Sequence, residues 1–230
     1  MRYSVATAIT PRAAARLLIS NEMDPAHCVS GQAAAQILDE LAKLPIDECL
    51  SIVDNNKYGD VADVKGIPQF GTIETLMRVP HFFSDKGVLI SDYPQMGFYL
   101  KNDISASLGA NTKFGENHGK TMALLGIIQC ANCRFSPTAL SDAFCKCSNE
   151  EKQQIMARLF FRIPIIQIIL KNASVSEFNG FYPMCQLMES TRHRRGFNLR
   201  AIFEELQKLN HKELSRRIEN IVWTDCEEVV

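Results

Sequence analysis

No apolar run in this 230-residue chain approaches the roughly 18 residues that a membrane span requires. The strongest candidate, residues 159–170, is interrupted by Arg162, Pro164 and Gln167. Charge of one sign is lacking too. The formal net charge of −1 excludes a protein that coats nucleic acid over its whole surface, and leaves local basic patches as the quantity to look for. Cysteine is sparse: eight in the chain, with no secretory signal, read as reduced thiols rather than a disulfide frame. No loop has the spacing that cradles a nucleotide phosphate; residues 115–120 come nearest and follow no strand. Acids are missing from the first 21 residues, which hold Arg2, Arg12 and Arg16, a likeness to a transit peptide. An Ala-rich first helix in a cytoplasmic protein is the expectation.

What is present suits a folded chain. With 46% hydrophobic and 22% charged residues, the length fits one large domain or two small ones. Thr10-Pro11 is a helix start, with Thr as cap and Pro in the first helical position. Ser30 begins a second helix, in which Ala34, Ile37, Leu38 and Leu41 form one stripe at i, i+3, i+4 and i+7. Residues 55–70 are rich in Asn, Gly and Asp and read as a break containing a boundary. Residues 71–83 read as one helix, and Asp92 as the cap of a helix through Leu100. A polar excursion at 102–109 follows. Ser148 with Glu151 has the form of a capping box, opening a long helix over 149–170.

The chain is organised around residues 111–128. Met122, Ala123, Leu124, Leu125, Ile127 and Ile128 make its second half apolar, while its first half is polar. A helix starting near Gly115 buries its end and presents Glu116, Asn117, His118, Lys120 and Thr121 outward. A groove-reading helix needs that asymmetry, because base edges are touched by residues near the helix start. Gly119 leaves space for something bulky to approach the backbone. The alternative account is an ordinary core helix with a polar entry. A tight turn at 131–132 and Arg134-Phe135-Ser136 then read as a small wing, with a further helix over 138–145.

The design recurs. Tyr182-Pro183 opens a short helix over 184–188, and Ser190 or Thr191 caps a helix whose end buries Leu199, Ile202, Phe203 and Leu206. Its start carries Arg192, His193, Arg194, Arg195 and Arg200 with no acid. Cations at a helix start oppose the helix dipole, so the placement points to an anionic partner, although pairing with Glu189, Glu204 and Glu205 is the plain alternative. Residues 218–223 are expected to supply a second wing strand, and Asp225, Glu227 and Glu228 to lie at the surface.

This order of short helix, polar turn, helix with a Leu-Gly-Ile end, wing, and Phe-Ser-Pro-Thr-x-Leu-Ser-x-x-Phe at 135–144 resembles a winged helix-turn-helix. The likeness is to the winged-helix modules of bacterial restriction and phage-defence proteins, and covers roughly residues 66–223. It implies a mainly α fold with small β wings: a helical segment at 1–65, a first winged-helix unit at 66–148, and a second at 149–230 that includes the connecting helix. It also implies sequence-directed binding of double-stranded DNA, as the recognition module of a restriction or defence system whose cleavage comes from a partner nuclease or ATPase chain. A transcriptional regulator is a close variant. The DNA-contacting residues so expected are Lys113, Asn117, His118, Lys120, Thr121, Arg192, Arg194, Arg195 and Arg200, with no cofactor and no membrane.

Two rivals belong to other classes. Asp63-Val64-Lys65 beside Asp60 has the Asp-x-Lys form of metal-dependent nucleases, though its flanks make a poor strand and a solvated turn is the plainer reading. A winged helix that binds protein is the other. Cys130-x-x-Cys133 with Cys145-x-Cys147 is the one zinc-like spacing; a single residue between the second pair is awkward for tetrahedral thiolates, and core cysteines are expected instead.

Overall fold

Twelve α-helices and five short strands make up the computed structural model over the described residues, which are 9–24, 30–101 and 107–225. Arg2, most of the polar excursion (102–106), Glu227 and Glu228 lie outside them. The fold is mainly helical, as expected, and no single helix among these residues is long and apolar enough to cross a membrane.

Local signals place the early helices. Thr10 accepts from Ala13 N to cap α1 (Pro11–Ile19), and Ser30 accepts from Ala33 N to cap α2 (Gly31–Lys43). The expected stripe of α2 is the buried one. A third helix, α3 (Ile46–Asp54), precedes the break. The helix expected over 71–83 is two, α4 (Ile73–Met77) and α5 (His81–Lys86), because Pro80 has no N–H with which to continue α4.

Beyond them come β1 (Ser91–Asp92), α6 (Tyr93–Lys101) and α7 (Leu108–Leu124), followed by β2 (Ile128–Ala131) and β3 (Arg134–Pro137). The three strands form an antiparallel sheet in the order β1-β3-β2, with Phe135 opposite both Ser91 and Cys130. The hairpin turn falls at Asn132 and Cys133, whose φ values of 49° and 59° are the left-handed pair of a two-residue turn. Helices α6 and α7 cross at backbone contact. A Cβ on Gly97 would lie 1.8 Å from the Asn111 carbonyl oxygen, and one on Gly115 would lie 2.0 Å from that of Tyr93.

The second half begins with α8 (Ala139–Lys146), capped by Thr138, and α9 (Asn149–Phe160), which has the expected Ser148–Glu151 capping box. The long helix expected over 149–170 is broken. After residues 161–163 the chain turns by 69° into α10 (Pro164–Asn172). Ile165, Ile166, Ile168, Ile169 and Leu170 are all buried, so α10 is the axis of one hydrophobic cluster that includes residues of α1, α2, α3, α7 and α11. Arg162, at the bend, donates to the carbonyls of Leu18 and Leu124, at the ends of α1 and α7. Carbonyls at a helix end carry partial negative charge and suit a buried guanidinium, even though burial pushes Arg162 down to about 10.

The remaining elements are β4 (Phe178–Asn179), a single 3-10 turn at Tyr182–Met184 where a helix over 184–188 was expected, α11 (Glu189–Gln207), α12 (Lys212–Glu219) and β5 (Ile221–Val222). The strand expected within 218–223 is present as β5, but it pairs with β4 in parallel and not in an antiparallel wing like that of β2 and β3.

Candidate nucleic-acid interface

Helix α7 starts at Leu108, capped by Ser107, rather than near Gly115. That earlier start sets its faces. Asn111, Gly115, His118, Gly119 and Met122 turn inward, and Lys113, Glu116, Asn117 and Lys120 turn outward. Gly119 does receive a bulky neighbour. The ring of Phe135 lies 2.2 Å from where its Cβ would be, so the approach serves the core rather than a ligand.

The outward placement expected of His118 and Thr121 is corrected: each is only 1% exposed. Both hold a strap, residues 67–71, against α7. Thr121 Oγ1 accepts from Gln69 N at 2.9 Å and donates to Gln69 O at 2.8 Å. His118 Nε2 accepts from Gly71 N at 2.8 Å, while Nδ1 donates to the Phe114 carbonyl at 2.8 Å. On its other edge the strap is held by α11. Asn198 donates to Phe70 O at 2.8 Å, and Arg195 Nη1 donates to Ile67 O.

Because Gly71 N is a donor, His118 Nε2 must be unprotonated, and burial pushes its pKa down accordingly. The unfolded chain takes up this proton near the ordinary histidine value of about 6.5. The stabilisation is therefore complete above that value and is lost as pH falls through it toward the lowered one. His81, pushed down by burial and by Lys152, adds to the same trend. We predict that His118→Gln narrows the fall in melting temperature between about pH 7.5 and about pH 5. Equal falls in variant and unaltered protein would mean that this ring does not titrate with folding.

The strap closes one side of a cleft of about 780 Å³ whose other walls are α7 and β2. Lys65, Lys113, Lys120, Arg162 and Arg195 line it against only two carboxylates, Asp24 and Glu116. Glu116 lies between Lys113 Nζ at 2.9 Å and Lys120 Nζ at 2.6 Å, and the bond from Lys120 is the main reason its pKa is lowered. The trio thus keeps one net positive charge. Lys120 Nζ also sits 5.4 Å from the Tyr93 ring centroid. Arg195 has no carboxylate partner among the described residues, its Nε is buried without a hydrogen bond, and burial lowers its pKa with help from Arg194.

A second cleft, about 330 Å³, adjoins the first and shares Gln69 and Asn117 with it; Arg194 and Phe197 of α11 stand on its far side. Lys113, Asn117, Lys120, Arg194 and Arg195, from two stretches far apart in the chain, thus border one continuous surface. Arg192 and Arg200 do not join them. Arg192 is buried and donates to the Cys185 and Leu187 carbonyls, and Arg200 stacks over Trp223 at 5.0 Å. Lys65 was expected only in the nuclease reading, and Gln69 and Phe197 were not expected at the surface at all. Phe197 carried a signal, as an aromatic inside a basic run.

The rival chemistries are not assembled. Asp63 accepts from Lys65 N at 2.9 Å and caps a 3-10 turn instead of lying on a strand. Among the described residues, the one group of His, Cys, Asp and Glu close enough to hold a metal ion is Glu189, His193 and Asp225, which includes neither Asp63 nor any cysteine. Cys130 and Cys133 are exposed on the hairpin rather than in the core, and Cys145 and Cys147 are partly buried near the end of α8. Comparison of the chain with protein-family models, with curated proteins and with solved structures gave no match.

Proposed function

We propose that the chain binds double-stranded DNA along the surface shared by α7 and α11. The observation that carries this reading is the convergence of Lys113, Asn117 and Lys120 with Arg194 and Arg195 at two adjoining clefts where cations outnumber carboxylates. Guanidinium and ammonium groups take phosphate oxygens, and an amide such as that of Asn117, unbonded among the described residues, suits a base edge. The sequence β1, α6, α7, β2, β3 with strand order β1-β3-β2 also supports a winged helix-turn-helix in the first half, with α7 in the recognition position. The second half contributes arginines rather than a second wing. A recognition subunit of a restriction or defence system, working with a separate cleaving chain, is the assembly that this reading implies.

If α7 reads bases, Asn117→Ala and Lys120→Ala each cost on the order of 1–3 kcal/mol on the preferred site and little on random duplex. Selection from a random duplex pool, followed by fluorescence anisotropy on the selected and scrambled sites, measures both. A preference left intact in both variants would remove α7 from recognition.

A further inference from the structure

We infer that the smaller cleft is a binding site for one unpaired nucleobase, stacked on the ring of Phe197. The inference rests on the nucleic-acid reading above and names what that surface takes at this end. Phe197 is 68% exposed although it lies on a helix whose neighbouring residues Gly196, Asn198 and Leu199 are buried. Lone exposed apolar side chains are ordinary on protein surfaces. This one borders a recess. Its neighbours there are Arg194, Asn117, Gln69, Phe70 and Asn198, of which only Phe70 is apolar and that one is already buried. An apolar protein partner would meet amides and a guanidinium around a single ring. A nucleobase presents an aromatic face with a polar edge and matches the set.

The parts have separate tasks. Every base has a π-face, so a ring in the open gives sequence-tolerant stacking. Arg194 precedes Phe197 by three residues and so lies on the same helix face, about one turn or roughly 5 Å away. A cation at that offset is placed to take the phosphate of the nucleotide whose base meets the ring. Its guanidinium makes no hydrogen bond or ion pair among the described residues. Asn117 is likewise unbonded there, which leaves its amide to donate to and accept from a base edge. Asn198 is spent on Phe70 O and fixes the floor. At about 330 Å³ the recess is at the small end of ligand clefts, which suits one ring system and not a duplex.

Such a base comes either from a single strand or from a duplex by extrusion, and the probes separate the two. Fluorescence anisotropy would compare a dT oligomer with an abasic oligomer of equal length and phosphate count, using the unaltered chain, Phe197→Leu and Arg194→Ala. The unaltered chain is expected to prefer the base-bearing strand by about tenfold or more, a ratio that stacking can supply. Phe197→Leu should bring that ratio close to one at unchanged melting temperature, while Arg194→Ala should weaken both strands alike. Tighter binding of a mismatched than of a matched duplex, lost in Phe197→Leu, assigns the base to extrusion; equal duplex binding assigns it to single strands. A ratio unchanged in Phe197→Leu, with Arg194→Ala still weakening both strands, overturns the base site and leaves the cationic cleft standing. Absence of binding to every probe overturns both.

Discussion

Gly97→Ala should destabilise the chain by roughly 3 kcal/mol or more, beyond the usual cost of overpacking, because the clash is backbone against backbone. An added methyl would lie 1.8 Å from the Asn111 carbonyl oxygen and 2.6 Å from its carbon. No rotamer change relieves that, so α6 and α7 must separate. For a chain of this size the melting temperature is expected to drop by about 6–12 °C. Gly109 is the internal control. It lies in the same α7, and nothing comes within 4 Å of its would-be Cβ. Gly109→Ala should therefore be neutral or raise stability by up to about 1 kcal/mol through helix propensity. Thermal melts of both variants decide the matter. A Gly97→Ala protein that melts with the unaltered one would mean that the two helices do not cross at backbone contact.

The second large effect is on binding. Replacing Arg194 and Arg195 together by Ala should weaken DNA binding on the order of 100-fold, since charge-assisted hydrogen bonds contribute about 1.5–3 kcal/mol each. The loss should be the same on all sequences. The slope of log affinity against log salt should flatten by up to about two units, at about 0.9 per phosphate contact. Arg195 also holds the strap through Ile67 O, so its removal affects geometry as well as charge. Arg194 makes no such bond, and Arg194→Ala alone should flatten the slope by about one unit without moving the melting temperature. A double variant that keeps the full slope would take α11 out of the interface.

Most caps and stripes were legible because they are local: Thr10, Ser30 and Ser148 cap the helices expected of them, and Leu199, Ile202, Phe203 and Leu206 are the buried side of α11, although α11 begins at Glu189 with no side-chain cap rather than after Ser190 or Thr191. The start of α7 was misread because Gly109, Asn111 and Gly115 are poor helix formers. At Gly115 the missing side chain is the reason for the choice, since α6 occupies that space. His118 and Thr121 were read as outward because they are polar. Their partners are strap backbone groups 47 and 52 residues away, a distance that periodicity does not report. The single helix over 149–170 failed at Pro164, where an apolar pattern runs on through a 69° turn. The approach of Arg194 and Arg195 to α7 left no trace in either stretch alone, because it depends on how the strap joins them.

A salt titration is the sharpest test of the proposal that the surface shared by α7 and α11 binds nucleic acid. Anisotropy of a labelled random duplex with the unaltered chain, from about 50 to about 200 mM salt, reads the number of phosphates contacted. Lys65, Arg194, Arg195 and the net charge of the Lys113–Glu116–Lys120 trio amount to about four contacts, so a log–log slope of about −3 to −4 is expected. No binding at the low-salt end, or a slope near zero, would mean that this surface does not bind DNA.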